Sequence, residues 1–316
     1  MKKTISVIIP TVGSGNRVES LNLMLQSIFQ QTIPFDEIII FDNSGLQNVR
    51  SRSKYGDNPN IKWFSSEKKL PMTESYNTAA SFSTCDYLTI QGDDDELYPD
   101  FCSEVHKKVE KNAEVILAPF EFVDERGNDL PIFFGAPLKD MPIKAFMNPN
   151  LNIVMGSLIF SKEIYSKTAG FQNFCFNGLW MDWLLFWEMG MHCKIISLIP
   201  SYVLRYRISS QWSGKLQTLD EFIQYCASLD KVEKYARQMF LANGYQETEC
   251  SFLNKVGDDY TVLYYDFLKK SGLNFWKILF LCFRKLPPRA RFGFRDRCYC
   301  LRRAFFDQFR KETAKK

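Results

Sequence analysis

The sequence is short of histidine, of long apolar runs and of paired cysteines, and each shortage excludes a class of protein. Only two histidines are present, His106 and His192. A zinc site built on several histidines is therefore excluded, and neither residue is assigned a role. Any metal must be held by oxygen, which selects Mg²⁺ or Mn²⁺. No apolar run reaches the roughly 18 residues that a membrane-spanning helix needs. The nine cysteines are odd in number, scattered, and form no Cys-x-x-Cys pair. That pattern suits reduced thiols in a cytosolic protein rather than a disulfide framework. Internal repeats and low-complexity tracts are absent. The opening run from Met1 to Pro10 is basic, but its apolar stretch is too short for a signal peptide and reads as a first strand.

What is present is ample apolar material. With 316 residues, 46% of them hydrophobic, the chain can form one large α/β domain with an appendage, or two modest domains. The net charge of +4 conceals an asymmetry. Residues 273–316 hold 13 Lys/Arg against 3 Asp/Glu, whereas the preceding residues hold 27 against 33. An acidic body carries a basic tail.

Along the first half, apolar runs alternate with helical periodicity as in βαβ units. Strands are expected at Ile5–Ile9 (stopped by Pro10), Ile38–Phe41, Ile61–Phe64, Tyr87–Ile90 and Val115–Ala118. Helices are expected over 17–30, Thr73–Phe82 and Tyr98–Lys111. Residues 119–155, rich in Pro, Asn and Phe, read as loops around a site. Periodicity returns at 157–168 and in an aromatic helix over 180–190, followed by a strand at Lys194–Leu198 and another near 202–206. From Leu219 the signal is helical, over 219–242, 247–270 and a pair broken by Pro287-Pro288.

Polar residues stand at the C-terminal ends of three of these strands: Thr11, then Asp42 and Asn43, then Asp93, Asp94 and Asp95. In a parallel sheet such ends share one edge, where open α/β sheets bind their ligands. Three adjacent carboxylates repel one another and stay together only when solvated or sharing a cation. A solvated acidic turn is the plain alternative; three convergent polar strand ends favour a nucleotide site.

The ordered set of motifs resembles family 2 of the glycosyltransferases, inverting enzymes with the GT-A fold. Ile5 to Thr11 resembles the family's opening strand, and Asn16-Arg17 with Leu21 and Leu25 to Thr32 its first helix. Glu37 to Gly45 resembles the "VDDGS" segment, and Ser75-Tyr76-Asn77 through Asp95 the approach to the DxD motif. Ala169-Gly170-Phe171 is similar to the "GGF" turn, Trp180-Met181-Asp182-Trp183 to the "ED" helix start, and Tyr206-Arg207 to "YR". The likeness spans about residues 4–213. Gly13-Ser14-Gly15 interrupts the usual "TYN" loop, where Val12 replaces an aromatic. Met181 replaces the Glu of "ED", and Ser209 stands where a His often follows "YR". Asp93 and Asp95 form a DxD by spacing, whereas Pro99 sets a register that pairs Asp94 with Asp95.

The resemblance implies a GT-A catalytic domain over 1–215, a Rossmann-like nucleotide-binding sheet with flanking helices; the helical signal beyond it gives a C-terminal helical region over 216–316 with a basic amphipathic tail. The resemblance also implies Thr11, Asp42, Asn77, Asp93, Asp94 and Arg207 as donor-binding residues, with Asp42 meeting the nucleotide base. Asp93, Asp94 and Asp95 would hold Mg²⁺ or Mn²⁺, and Asp182 would be the general base. The chemistry asks for these types. A nucleotide-sugar leaves as a nucleoside diphosphate, so a cation and a nearby Arg stabilise the developing charge. The attacking hydroxyl must lose a proton to a positioned carboxylate. Asp182 begins a helix, so a carboxylate placed there only for the helix dipole is the alternative. The expected partners are a nucleotide-sugar donor, read as a UDP-sugar, and a glycan or lipid-linked acceptor in surface polysaccharide synthesis. A sugar-nucleotidyltransferase, or a catalytically silent sugar-nucleotide or membrane-binding module, are the competing readings.

Residues 273–303 interleave Phe, Trp and Leu with Arg, which suits an in-plane amphipathic helix on an anionic membrane surface. A helical arm packed on the catalytic domain or on a second subunit would share that composition. No groove-reading motif accompanies the charge, so no nucleic-acid partner is expected. The resulting location is the cytoplasm, peripheral on the inner face of the cell membrane.

Overall fold

The computed structural model describes residues 2–130, 140–146, 153–178, 180–193, 195–208, 219–251 and 253. The chain divides into two compact units, residues 1–215 and 216–316.

The first unit is built on a seven-stranded sheet. In chain order its first elements are β1 (Ile5–Thr11), α1 (Arg17–Phe29), β2 (Glu37–Asp42), α2 (Val49–Arg52), β3 (Ile61–Ser65), α3 (Met72–Ser81) and β4 (Tyr87–Ile90). There follow β5 (Glu96–Leu97), α4 (Phe101–Val109), β6 (Val115–Leu117), β7 (Phe120–Val123), β8 (Leu158–Ser161), α5 (Lys162–Tyr165), α6 (Met181–His192), β9 (Ile196–Leu198) and β10 (Leu204–Arg207). The sheet order is β3-β2-β1-β4-β8-β6-β9. Strands β1 to β4 run parallel, β8 runs antiparallel to both its neighbours, and β6 pairs with β9 in parallel. Every residue of β1, β2 and β4 is buried, the mark of strands covered on both faces. Helix α1 buries Val18, Leu21, Met24, Leu25 and Ile28 at helical spacing against this sheet. At about 1.5–3 kcal/mol for each such side chain removed from water, this packing holds the frame.

Strand β1 does not stop at Pro10; it runs through to Thr11. The carbonyl of Ile8 accepts from Gln91 N–H on the β4 side and that of Thr11 from Asn43 N–H on the β2 side. By this alternation Pro10 faces the β4 side, beyond the end of β4 at Ile90, so its missing N–H breaks no ladder bond.

A second sheet, in the order β5-β10-β7, was not expected from sequence. Strand β7 lies in the stretch read as loops, and β5 is only two residues long. Strand β10 pairs antiparallel with β5 and parallel with β7, so the segment just after the acidic cluster is held by tertiary pairing. Gln31 assists: its Oε1 accepts from Cys102 N–H and its Nε2 donates to the Tyr98 carbonyl, pinning that segment to the end of α1.

In the second unit, α7 (Leu219–Ala242) buries Tyr225, Leu229, Val232, Ala236 and Phe240, one face of the helix. The helices expected after residue 253 and the basic segment 273–303 lie outside the described residues, as does Ser209. Among the described residues no helix is long and apolar enough to cross a membrane.

Candidate active site

The parallel arrangement of β1, β2 and β4 brings Thr11, Asp42 and the acidic loop after Ile90 to one sheet edge. In the loop, the three carboxylates have different partners. Asp93 is spent within the protein: its Oδ2 accepts from Thr11 Oγ1 at 2.5 Å and its Oδ1 from Arg17 Nη1 at 2.5 Å. Arg17 Nη1 also lies 2.8 Å from Asp94 Oδ2. Asp95 Oδ1 accepts the backbone N–H of Arg207 at 3.0 Å. Burial pushes Asp93 up to about 6, Arg17 working against the rise. Asp95 is also raised, by burial first and by the charge of Asp94 second.

Asp94 Oδ1 and Asp95 Oδ2 accept no hydrogen bond among the described residues. Both hang over Gly92, at 3.2 and 2.7 Å from where a β-carbon on that residue would sit. A residue without a side chain thus leaves open the space beneath two oxygens. These two carboxylate oxygens suit a hard divalent cation, with water and phosphate completing its shell. Among the described residues no three His, Cys, Asp or Glu side chains form a metal cluster. The expectation that Asp93 is a ligand meets a carboxylate with both oxygens already bonded.

Asp42, expected to meet the nucleotide base, is 3% exposed. Its Oδ1 accepts from Ser44 N–H at 2.9 Å and its Oδ2 from Val49 N–H at 3.0 Å, which folds the loop between β2 and α2. Asn43 is locked to Leu70, donating to its carbonyl and accepting from its N–H. Arg52 donates to the Gly13 carbonyl at 2.7 Å, tying that loop to the one after β1. Gly13 has φ +59°, and a β-carbon there would come within 2.3 Å of Val49 Cγ2, so glycine is required at this close approach.

Arg207, expected at the diphosphate, directs its Nε and Nη1 to protein backbone, while its Nη2 lies 3.8 Å from Glu96 Oε2. Its Nε donates to the Asp94 carbonyl at 2.8 Å and its Nη1 to the Asp124 carbonyl at 3.0 Å. It shapes the acid loop from behind. Asn77 is similarly committed: its Nδ2 donates to the Phe171 carbonyl, and its Oδ1 accepts from Phe171 N–H and the Tyr165 hydroxyl. Asn77 therefore straps α3 to the Gly170-Phe171 turn.

Asp182 sits in the first turn of α6, half-buried. Burial pushes it up to about 7, against the pull of the backbone N–H groups of Trp183 and of Asp182 itself. The Trp183 N–H donates to Oδ1 at 2.9 Å. The approach to this helix is unusual: Asn177, Gly178 and Trp180 all have positive φ, Trp180 at +69°. A bulky side chain in that region costs of order 1–3 kcal/mol, and such strain clusters at functional sites.

Tyr76 stands near the approach to α6. It lies on α3 one turn after Met72, whose side chain abuts the Gly178 turn. Its ring packs edge-on against Phe171 with centroids 5.4 Å apart. Its hydroxyl is raised first by burial and then by the charges of Asp93, Asp94, Asp95 and Asp182. Sequence reasoning missed Tyr76 and Arg17 as site residues. Both stood inside matching segments, Tyr76 beside Asn77 and Arg17 after the loop of β1, but nothing in their spacing marked them.

The sequence and the fold are matched by relatives. Residues 6–167 match the family model described as Glycosyl transferase family 2. A curated protein from Haemophilus influenzae, described as an uncharacterized glycosyltransferase, is 30% identical over 168 residues, covering 52% of this chain and 55% of that protein. The chain thus spans about half the length of this curated relative. Among solved structures, S. aureus TarS 1–349 in complex with UDP-GlcNAc is similar, with a TM-score of 0.59 at 13% identity over 88% of this chain and 78% of that one. The same protein in complex with UDP has a TM-score of 0.51 at 15% identity over 98% and 92%. These neighbours share the GT-A fold. With a matching family model over half its length and an acid loop at the edge of a GT-A sheet, the chain belongs to glycosyl transferase family 2.

Proposed function

We propose that the protein is a metal-dependent inverting transferase that moves a sugar from a UDP-sugar to a hydroxyl of an acceptor glycan carried on a lipid, in surface polysaccharide synthesis. The observation that carries the reading is the pair of carboxylate oxygens, on Asp94 and Asp95, held over Gly92 at the edge shared by β1, β2 and β4. A UDP-sugar is supported by the fold neighbour seen with UDP-GlcNAc and UDP.

In this reading the donor lies along the sheet edge between Thr11, the Asp42 loop and the acid loop. Asp94 and Asp95 would hold Mg²⁺ or Mn²⁺, which when bound supplies positive charge to the departing diphosphate. Asp93 contributes by holding Thr11 and Arg17, and Arg207 by fixing the backbone of Asp94 and Asp95. Asp182 takes the proton from the acceptor hydroxyl as its oxygen bonds to the anomeric carbon. The bond from that carbon to the phosphate oxygen breaks, and the nucleoside diphosphate leaves with the electron pair. A carboxylate with a pKa near 7 is a stronger base than an ordinary one and is still ionised enough at neutral pH to act. Attack from the face opposite the leaving group inverts the anomeric centre.

The lipid carrier and a place on the inner face of the cell membrane rest on the basic, aromatic segment 273–303. The test of the reaction is a donor-hydrolysis screen across UDP-, GDP- and dTDP-sugars with Mn²⁺. Hydrolysis confined to a UDP-sugar and abolished by EDTA is the expected result. Hydrolysis of none, with no transfer to any acceptor, would overturn the reading.

A further inference from the structure

Arg17 is only held in place by Asp93 in that reaction scheme, and its contacts give it a distinct task. Its guanidinium is the positive group that bridges two of the three adjacent carboxylates, at 2.5 Å from Asp93 Oδ1 and 2.8 Å from Asp94 Oδ2. The side chain is only 16% exposed, so water screens the interaction weakly. Thr11 takes the other oxygen of Asp93, and the Arg207 N–H takes one oxygen of Asp95. What remains facing the space over Gly92 is one oxygen of Asp94 and one of Asp95.

We propose that Arg17 is a resident counter-cation of the acid loop and that it makes binding of the divalent cation conditional on the donor nucleotide. The proposal rests on the metal-dependent reading above. Two protein oxygens fill only a minor part of the six-ligand shell that Mg²⁺ requires and Mn²⁺ commonly adopts. A fixed guanidinium on the same Asp94 carboxylate neutralises part of the charge that would attract the ion and adds repulsion of its own. The free enzyme is therefore a poor metal site with its loop already formed. A nucleoside diphosphate brings both oxygen ligands and negative charge, and these restore the balance that Arg17 tips. The arrangement keeps the three carboxylates together in the absence of metal, which a bare acidic loop would not tolerate.

The test is direct binding of Mn²⁺ to the full chain, by isothermal titration calorimetry and by loss of the free-ion electron paramagnetic resonance signal, with and without UDP. The wild type should bind Mn²⁺ weakly alone and at least about tenfold more tightly with UDP. Arg17→Gln should bind Mn²⁺ alone at least about tenfold more tightly than the wild type, while Arg17→Lys, which keeps the charge, should stay close to it. Because Arg17→Gln leaves Asp93 without its cation, melting is measured in parallel. Mn²⁺ without UDP should raise the melting temperature of this variant and not that of the wild type, since a ligand stabilises the state that binds it. If the wild type binds Mn²⁺ with UDP and Arg17→Gln shows no tighter binding alone, Arg17 has no such role. If the wild type binds UDP and no Mn²⁺ under any condition, the metal-dependent reading falls and takes this proposal with it.

Discussion

Replacing Asp182 by Asn separates its chemistry from its structural placement, because the two side chains have nearly the same shape. The carboxyl sits near 7 in the folded protein against 3.8 ordinarily, and burial is the main cause. Between those values the unfolded chain releases the proton while the folded chain keeps it, so wild-type stability falls as pH rises through this window and levels off above about 7. From pH 5 to pH 7 that is two pH units at about 1.4 kcal/mol each, about 3 kcal/mol before screening. Asp182 is only half-buried, and halving for solvent leaves about 1.5 kcal/mol. Asn cannot ionise and can still accept the Trp183 N–H. Asp182→Asn should therefore gain on the wild type by about 4 °C in melting temperature between pH 5 and pH 8, at about 2–4 °C per kcal/mol. Its transfer rate should fall by roughly 10²-fold or more with donor Kd unchanged. Wild-type transfer should rise with pH through about 7 as the base loses its proton. The readouts are melting curves at the two pH values beside single-turnover transfer assays. Near-normal transfer by Asp182→Asn would remove the base assignment, and a melting difference that ignores pH would remove the electrostatic argument.

Other outcomes follow from the same geometry. Asp95→Ala removes one of two open oxygens and the acceptor for the Arg207 N–H; turnover should vanish, and retained activity in EDTA would end the metal assignment. Asp42→Ala leaves the N–H groups of Ser44 and Val49 without acceptors, costing about 1–3 kcal/mol each. It should weaken donor binding through the loop more than it slows the bound complex, and an unchanged donor Kd would reduce Asp42 to a structural role. Tyr76→Phe keeps the contact with Phe171 and removes only the hydroxyl; transfer should fall about tenfold if that hydroxyl bonds the acceptor, a contact worth about 1–1.5 kcal/mol, and an unchanged rate would give it no such role. Full-length protein should co-sediment with anionic vesicles and less so with neutral ones, each Lys or Arg near the surface adding about 1 kcal/mol. Protein left in the supernatant with both would make residues 273–303 a packing arm.

Much of the first unit was legible from local pattern. The runs Ile5–Ile9, Ile38–Phe41 and Tyr87–Ile90 are too apolar and too short to be anything but buried strands, and polar groups at their ends locate the ligand edge once the sheet is parallel. The aromatic helix bearing Asp182 was equally plain. The second sheet was not. A two-residue strand and the short run Phe120–Val123 become strands only because Leu204–Arg207 lies between them, a pairing of residues about 80 to 110 apart that no local signal carries.

The same distinction divides the site. Sequence determined which residue types stand at the strand ends and that three adjacent carboxylates need either solvent or positive charge. Only the tertiary structure decided how that charge is shared: Arg17 from the start of α1 takes Asp93 and half of Asp94, while Arg207 and Asn77 turn to backbone groups. It also decided that Tyr76 packs on Phe171 and that Met72 of the same helix abuts the Gly178 turn. Residue identity sets what a group can bond, but a hydrogen bond requires its partner within about 3 Å, and that proximity is set by packing between elements distant in the chain.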